Sequence, residues 1–496
     1  MFHGETYKTI RNLKIHEVLF YVFLLFLPLQ TRILYNPTSA YIQDYFNYHL
    51  AFFVYLTDLI LITCFISWFL FPTNASASEA KQSILSFRLL RRSNGLLANA
   101  NNRFFWLILA FFLVILIGMF PVKHLDFGLY QAFKWLELWL LVIYIWQTFH
   151  KRFHFIVSCA TIFVSGLGQA FLGLWQFHVQ HGLGLGWLGE YIAPIGTSGL
   201  ATINVAGEKL IRAYGTMPHP NVFGAFLVFG LFMGFFLVSH GTSKETHPRE
   251  SGDLNKALSR SPITYLILAS GMVIVTLGIF VSFSRLAWIA AAIGFFGFGL
   301  YYLLKKAWKP LILLGFIAIV SGGTILFFFG NDFSARVFDA NQTALVDRWF
   351  FDDLGLKMMA QHPLLGVGVG NYVPALQAGV SLASWQYQPA HNIFIFLGAE
   401  LGIIGLIIFL GLVWEICRRL KNIFSDPLLF TIYSLLITIL LMGQFDHYFV
   451  TIQQGRLMFF TILGLLAALP NLYDQRRVIP DHDPESRSLD SESSSE

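Results

Sequence analysis

Long blocks of apolar residues alternate with shorter polar and charged segments along most of this chain. Each block is close to the roughly 20 residues that a helix needs to cross about 30 Å of hydrocarbon, whereas ten-residue segments with the alternation of membrane β-strands are absent. We therefore predict twelve membrane-spanning helices, at about 17–35, 50–71, 104–120, 130–148, 154–177, 220–239, 262–282, 286–304, 310–329, 393–414, 427–445 and 453–469.

The lysines and arginines between these blocks predict the orientation of the chain. Membrane insertion retains such residues on the cytoplasmic side. Every second connection is basic, with cations that include Lys14, Arg103, Lys151, Lys305 and Arg418. We expect both termini in the cytoplasm and the two longest connections, about 178–219 and 330–392, on the outer side.

Composition supports the membrane class. Hydrophobic residues make up 56% of the 496 residues and charged residues only 12%, which excludes an ordinary soluble domain. The net charge of +5 is spread along membrane edges, so it indicates topology rather than nucleic-acid binding. We interpret the chain as an all-α polytopic membrane domain at 1–477, with an uncleaved first span, followed by a disordered acidic cytoplasmic tail at 478–496.

Four arginines lie at outward-facing or membrane-edge positions, where insertion tends to avoid cations: Arg212, Arg285, Arg348 and Arg456. Arg285 lies between two apolar runs so close together that its turn stays at the membrane edge, which favours an anionic partner. A ligand phosphate fits the two parallel hydrogen bonds of guanidinium, and a distant carboxylate is the alternative. For Arg212 the alternatives are snorkelling at the interface or an ion pair with Glu208.

A histidine stands at the start of the tenth predicted span. The neutral imidazole of His391 can accept a proton near neutral pH, although an interfacial histidine more often serves as a hydrogen-bonding residue. Glu400 lies nine residues further along, about two and a half helical turns deeper, so we do not expect it to contact His391. It either orients a partner or forms a helix-packing hydrogen bond.

The second outer connection contains two further local signals. Its apolar positions between Trp349 and Met359 fit a helix on the membrane surface, ending before His362-Pro363. The glycines of 366–370 then predict a tight turn with close backbone approach. A nucleotide-binding loop is disfavoured because the run follows a helix and lacks a Lys-Ser or Lys-Thr pair.

Several polar residues and cysteines fall in or beside the predicted spans. Asp58 and Glu137 are intramembrane acids, and the pair Asp446-His447 could join Arg456 in a second outer cluster, although we favour structural pairing for it. Asn221 is a plausible cap for the sixth span. Neither a disulfide framework nor a zinc site is expected from the cysteines, which are Cys64, Cys159 and Cys417.

Over roughly 200–450, the order and spacing of these segments resemble the O-antigen ligase and O-antigen polymerase superfamily. The resemblance rests on Arg212-Ala-Tyr-Gly-Thr-Met-Pro-His-Pro-Asn221, Ser282-Phe-Ser-Arg285, Arg348-Trp349, His362-Pro-Leu-Leu-Gly-Val-Gly-Val-Gly-Asn-Tyr372, His391-Asn392 and Glu400-Leu-Gly-Ile-Ile-Gly405. It implies a GT-C-like membrane fold and a metal-independent inverting glycosyltransferase without a cofactor. The implied donor is a glycan on undecaprenyl diphosphate at the outer face of the bacterial inner membrane, and the acceptor is a glycan or lipid.

The resemblance also implies roles for individual residues. By position, Arg212 and Arg285 bind the diphosphate, Arg348 is a further phosphate or glycan contact, and His391 is the catalytic histidine. The remaining supporting residues are Glu400, Asn221 and Asn392.

Two questions remain open at this stage. The sequence does not separate a ligase from a polymerase, because both use the same donor and differ in the acceptor. The alternative class is a flippase for lipid-linked oligosaccharide. Transporters usually show internal repeats and broken helices near the midplane. Here the two halves look unlike and the polar motifs gather outside, which favours the enzyme over either a flippase or a scaffold.

Overall fold

The computed structural model describes residues 13–35, 40–71, 101–120, 124–191, 193–197, 199–242, 262–337, 343–420 and 423–474. Within these residues the helices are α1 Ile15–Phe26, α2 Leu56–Leu70, α3 Asn101–Gly118, α4 Leu125–Thr148, α5 Arg152–Val179, α6 Pro220–Thr242, α7 Pro262–Val281, α8 Arg285–Leu304, α9 Trp308–Val337, α10 Thr343–Gln361, α11 Tyr372–Gly379, α12 Ile393–Cys417, α13 Pro427–Met442, α14 Tyr448–Thr451 and α15 Gln453–Asp474. The strands are β1 Arg32–Leu34, β2 Tyr41–Ile42, β3 Tyr45–Phe46, β4 Phe53–Tyr55, β5 Thr202–Val205 and β6 Glu208–Ile211. They form the antiparallel pairs β1–β4, β2–β3 and β5–β6.

Each of the twelve predicted spans overlaps one of these helices. Seven helices of the described chain, namely α5, α6, α7, α8, α9, α12 and α15, are long and apolar enough to cross a membrane. Four shorter apolar helices are α1, α2, α3 and α13. The protein is therefore a mostly helical multi-pass membrane protein, while the count of twelve spans and the sidedness of the loops remain predictions. The expected acidic tail at 478–496 lies outside the described residues.

The first two predicted spans have the wrong boundaries. Helix α1 ends at Phe26 rather than near residue 35, because Pro28 has no N–H to donate to the next helical hydrogen bond. The chain then forms β1, which pairs with β4, so the second predicted span begins as a strand and turns helical only at Leu56. The β-branched and aromatic run at 53–55 suits this pairing.

Burial separates central helices from peripheral ones. In α6, 94% of the spanning window is buried inside the protein, and α15 is 83% buried, whereas α9 is only 17% buried. Helix α6 packs against α5, α7, α8 and α13, and α15 packs against α4 and α13. The two central helices thus hold the bundle together, and α9 presents an apolar surface suited to lipid.

Helix α12 is interrupted by an extended residue. Gly402 has φ +67° and ψ −179°, a conformation that is essentially restricted to glycine. Before the break, the carbonyl of Ala399 accepts a hydrogen bond from the N–H of Val367 at 2.9 Å. The carbonyl of Glu400 accepts one from the N–H of Gly368 at 3.0 Å. After the break, the N–H of Ile403 donates to the carbonyl of Pro363 at 2.9 Å. The predicted close-approach turn is confirmed, and it satisfies the backbone groups that the broken helix leaves unpaired.

The amphipathic segment of the second outer connection is a helix, as predicted. Helix α10 stops at Gln361, immediately before His362-Pro363. Its apolar side chains fall on two faces, since Leu354 and Met358 are buried while Trp349 and Leu356 are exposed. Its location on a membrane surface remains a prediction. Cys64, Cys159 and Cys417 are free thiols in the structure.

Candidate active site

The loop that carries Arg212 is anchored on helix α5. The side-chain oxygen of Gln176 accepts a hydrogen bond from the N–H of Gly215 at 2.7 Å, and that of Gln169 accepts one from Thr216 at 2.9 Å. Gly215 has φ +59°, and a side chain there would overlap Gln169, so the tight turn needs glycine. The loop therefore holds Arg212 in a defined position.

Arg212 is buried, with 7% of its surface exposed. Its Nε donates to the carbonyl of Ser282 at 2.8 Å, and its Nη2 donates to the side-chain oxygen of Asn221 at 2.9 Å. The alternatives of a snorkelling side chain and of an ion pair with Glu208 are therefore wrong. Burial lowers the pKa of Arg212 to about 9, and the nearby charge of Arg336 acts in the same direction. The side chain still carries its charge at neutral pH.

Asn221 does not cap helix α6, contrary to the prediction. The helix begins one residue earlier, at Pro220, because proline is well suited to the first helical position. The Asn221 side chain instead joins two charged groups, accepting from Arg212 and donating to Asp446 at 3.1 Å. Asn221 thus connects the first outer loop to the segment after helix α13.

The turn that carries Arg285 presents two carbonyls toward arginines. Phe283 has φ +47°, an uncommon left-handed conformation for a bulky residue. The carbonyl of Ser282 faces Arg212, and that of Phe283 accepts a hydrogen bond from Nε of Arg336 at 3.1 Å. Arg285 donates from Nε and Nη2 to the carbonyl of Arg336, at 3.2 and 2.9 Å. This turn therefore links Arg285 to the Arg212 region through Arg336, which the sequence analysis missed.

Helix α10 presents three residues of one face to the tenth predicted span. Arg348, Phe351 and Asp352 are spaced at i, i+3 and i+4, so they share a helical face. The Phe351 ring stacks on that of His391, with centroids 5.3 Å apart and planes at 22°. The carboxylate of Asp352 accepts a hydrogen bond from the main-chain N–H of Asn392 at 3.1 Å. Helix α10 therefore fixes both the ring and the backbone of the His391 turn.

Asp446 is the carboxylate at the centre of the site. Its Oδ2 accepts from Asn221 and lies 4.0 Å from Nη2 of Arg348. Its neighbour His447 places its ring centroid 5.1 Å from that of His391. Side chains from three connections meet here: Arg212 comes from the first outer connection, Arg348 and His391 come from the second, and Asp446 comes from the segment after α13.

The imidazole of His391 is held in its neutral form. Burial lowers its pKa below the ordinary value of 6.5, Asp446 opposes this effect, and Arg348 adds to it. Its Nδ1 is buried and has no hydrogen-bond partner within the part of the chain that the structure describes. A neutral imidazole with an unused nitrogen is the form that a general base requires.

Three further histidines surround His391. His447 lies between His391 and His49, whose ring centroid is 5.5 Å from that of His447. On the other side, Nδ1 of His219 accepts a hydrogen bond from the main chain of Asn221 at 3.1 Å. Burial lowers the pKa values of His49 and His219 to about 3, so both are neutral. We call His49, His447 and His391 the histidine row.

His391, Asp446 and His447 have the side-chain types of a metal site. One possible ligand atom from each lies within 4.8 Å of the others. However, Arg348 lies 4.0 Å from Asp446, and Arg212 reaches the same carboxylate through Asn221, so a divalent cation meets positive charge. The arrangement suits an anion better than a metal ion, and independence of metal remains a prediction.

Arg456 does not join the Asp446-His447 pair. Asp446 pairs with Arg348 and Asn221, whereas Nε of Arg456 donates to the carbonyl of Val450 at 2.6 Å. The possible outer cluster with Arg456 does not form among the described residues, and Asp446 is paired within the protein, as the favoured interpretation predicted.

The two remaining supporting residues, Glu400 and Asn392, have different hydrogen-bond partners. Glu400 accepts from the N–H of Gly370 at 3.1 Å, and the structure records no contact of Glu400 with His391, as expected. The Asn392 side-chain oxygen caps α12 by accepting from Phe394 at 2.9 Å, while its Nδ2 donates to Gln444 at 3.0 Å.

The geometry adds residues that the sequence analysis did not select. These are Arg336, Phe351, Asp352, His219 and His49. Asp352 and Phe351 could have been found from helical spacing, because both share the face of Arg348 on a helix that was predicted. Arg336 lies in the same predicted outer connection as Arg348. It could have been selected for the same reason, because membrane insertion tends to avoid cations on the outer side. No motif or spacing around His49 in the sequence predicts that its ring lies next to that of His447.

Comparison with known families supports the resemblance drawn from the motifs. Residues 270–410 match the sequence model of the O-antigen ligase family. The match contains Arg285, Arg348, His391 and Glu400, and it falls inside the region of about 200–450 in which the motifs were recognised. No curated protein matches the chain. Residues 270–410 therefore carry an O-antigen ligase domain, in agreement with the superfamily that the motifs indicated, and this domain supports a ligase- or polymerase-type membrane enzyme of surface-polysaccharide synthesis.

Proposed function

We propose that this protein transfers a glycan from undecaprenyl diphosphate to an acceptor hydroxyl at the outer face of the bacterial inner membrane. The observation that carries the proposal is that Arg348, and Arg212 through Asn221, both approach Asp446 beside the half-buried imidazole of His391, whose pKa is lowered. The two arginines come from different connections and reach the same carboxylate, Asp446. The site thus combines cations for a leaving group with a base for a nucleophile.

The cations suit a diphosphate leaving group. Arg336 and Arg348 both lower the pKa of Arg212, which means that the three charges repel one another. A bound anion relieves this repulsion and the cost of burying Arg212. Negative charge grows on the diphosphate as the glycosidic bond breaks, and preorganised guanidinium groups stabilise that charge without reorganising. Arg285, which contacts the main chain of Arg336, belongs to this group by its position in the family motif.

His391 supplies the complementary step. The acceptor oxygen forms a bond to the anomeric carbon, and the bond from that carbon to the phosphate oxygen breaks with its electron pair leaving on the diphosphate. The hydroxyl proton passes to the neutral imidazole, and the Asp446 carboxylate stabilises the imidazolium that forms. Attack from the side opposite the leaving group inverts the anomeric configuration.

Replacing His391 by alanine tests this function. In proteoliposomes supplied with a lipid-linked glycan donor and an acceptor, we expect His391→Ala to slow transfer by about 100-fold or more, the usual contribution of a general base. His181→Ala is the matched control, because His181 is an exposed outer-loop histidine away from the cluster. Membrane abundance and thermal stability are compared for both variants. Ordinary transfer by a folded His391→Ala protein contradicts the proposed role.

The same vesicles separate the enzyme from a flippase. The break at Gly402 in α12 is a feature also seen in transporters, so fold alone does not decide between them. A transferred or elongated glycan supports the enzyme, whereas movement of unchanged lipid-linked oligosaccharide across the bilayer supports the flippase. In cells lacking the protein, accumulation of single lipid-linked repeats indicates a polymerase, and accumulation of long lipid-linked chains indicates a ligase.

A further inference from the structure

A cavity lies at the His49 end of the histidine row. His49 forms part of its wall and contacts His447, which contacts His391. The enclosed space is small, since only about 40 Å³ admits the centre of a water-sized sphere, so its occupant is a small unit rather than a length of polymer. It is lined by segments that meet only in the folded chain, the strand region before α2, the start of α4, the turn after Gly370, and helices α12 and α15.

Two buried charges of opposite sign line this cavity. Arg456 and Glu400 are each only 6% exposed. The guanidinium of Arg456 has a single hydrogen bond to the described residues, from Nε to Val450, and Glu400 accepts hydrogen bonds only from main-chain N–H groups, those of Gly370 and Tyr372. No salt bridge joins Arg456 to Glu400 among the described residues, although both face the same space. Buried charges without direct pairing are costly, so their remaining hydrogen-bonding capacity indicates a ligand.

The charge pattern restricts the chemical class of that ligand. An anion would pair with Arg456 but be repelled by Glu400. A cation would pair with Glu400 but be repelled by Arg456. An acyl chain would leave both charges unsatisfied. A neutral polyhydroxylated compound satisfies both, because a hydroxyl accepts from guanidinium and donates to carboxylate.

The rest of the lining fits a sugar. The aromatic side chains of Tyr130, Tyr372 and Phe396 line the cavity, and aromatic rings pack well against the C–H groups of a pyranose. Gln453 also lines it, and its Nε2 donates to Asp58 at 2.6 Å, so its carbonyl oxygen remains an acceptor. Asp58 is itself held by Lys134, which gives Gln453 a fixed orientation.

We propose that this cavity binds one neutral sugar unit through Arg456 and Glu400, so that the histidine row separates the sugar site from the arginines that receive the diphosphate. The proposal rests on the proposed transferase function and identifies where one of its glycan substrates is held. The sugar belongs either to the acceptor or to the donor glycan, since both present the same hydroxyl chemistry. In either case the cavity determines which glycan the enzyme accepts.

Kinetics of Arg456→Gln and Glu400→Gln test this site. In proteoliposomes, donor and acceptor are varied separately, and we expect KM for one of them to rise by about tenfold to a hundredfold, by more than kcat falls, as for loss of a charged hydrogen bond. A rise in acceptor KM assigns the cavity to the acceptor sugar, and a rise in donor KM assigns it to the donor sugar. Lys209→Gln is the control, because Lys209 is an exposed cation on β6. Unchanged KM values, or a loss confined to kcat, overturn the proposal.

A direct measurement of sugar binding tests the same site without requiring catalytic turnover. The probe is the oligosaccharide repeat released from the polymer of the producing strain, and its binding to detergent-solubilised full-length protein is followed by saturation-transfer NMR. Binding by the wild type that is lost in Arg456→Gln supports the site even if no transfer is observed. Equal binding by both proteins overturns it, while leaving the assignment of Arg212 and Arg348 intact. Inorganic pyrophosphate is added to both proteins, and we expect its thermal stabilisation to persist in Arg456→Gln.

Discussion

Asp446 and Arg348 have opposite electrostatic effects on His391. Asp446 favours the protonated imidazole, whereas Arg348 and burial favour the neutral form, and the result is a pKa below 6.5. Asp446 also accepts a hydrogen bond from Asn221, so it connects the histidine to the loop of Arg212. In the proposed mechanism, a single carboxylate therefore tunes the pKa of the base and helps to position the arginines that receive the leaving group.

This balance predicts the pH dependence of transfer. Because the base acts in its neutral form, kcat/KM is retained at neutral pH and falls only as the pH drops below 6.5, through the lowered pKa of His391. We expect Arg348→Met to move this acid limb to higher pH and Asp446→Asn to move it to lower pH. The measurement is kcat/KM against pH for the wild type and both variants. If the limb stays in place in both variants, His391 is not the titrating base.

The break in helix α12 is the main feature at the scale of elements. It brings the turn at 363–368 against the helix that begins one residue after Asn392. Gly366 and Gly402 both have φ near +67°, and a side chain on either would overlap the main chain of the other segment. Two glycines thus allow a close backbone contact between the turn at 363–368 and helix α12.

Gly402→Ala tests this contact. Alanine has to adopt a conformation that costs about 1–3 kcal/mol and also displace the main chain of Leu364, so we expect lower thermal stability in detergent. Gly411→Ala in the same helix is the control, because its nearest neighbours are side-chain atoms of Leu107 at 3.7 and 4.0 Å, which is ordinary contact. Equal unfolding temperatures for the two variants show that the break is not held as described.

At the scale of the whole molecule, a buried ionic group joins distant parts of the chain. Lys134 of α4 forms a salt bridge with Asp58 of α2 and lies 3.6 Å from Glu137. Gln453 of α15 donates to the same Asp58. Lys134, Asp58 and Glu137 are each only 3% exposed, so the ammonium group of Lys134 stabilises the two acidic side chains inside the bundle.

Removing the central cation is expected to destabilise the whole fold. Lys134→Met leaves two buried carboxyl groups without their cation, a change that typically costs about 3–5 kcal/mol. Lys357→Met is the control, because it removes an exposed salt bridge to Asp353 that is worth about 1 kcal/mol or less. Thermal unfolding in detergent measures both. A loss for Lys134→Met no larger than that for Lys357→Met contradicts the structural role of this group.

The sequence alone determined the class of the protein and much of its local structure. Apolar blocks of about 20 residues identify helices whatever their neighbours, because each helix satisfies its own backbone in the membrane. Helix α10, its end before His362 and the glycine turn also follow from local rules. The motifs around Arg285 and His391 were enough to identify the superfamily.

The tertiary structure decided which polar groups meet. Hydropathy gives the depth of a residue but not its neighbours across the bundle, so the pairing of Asp446 with Arg348 rather than Arg456 depended on how the helices pack. The break at Gly402 likewise exists because a distant turn supplies hydrogen bonds to both of its sides. The separation of the arginine cluster from the cavity of Glu400 is a property of packing, since the contacts that create it join residues hundreds of positions apart.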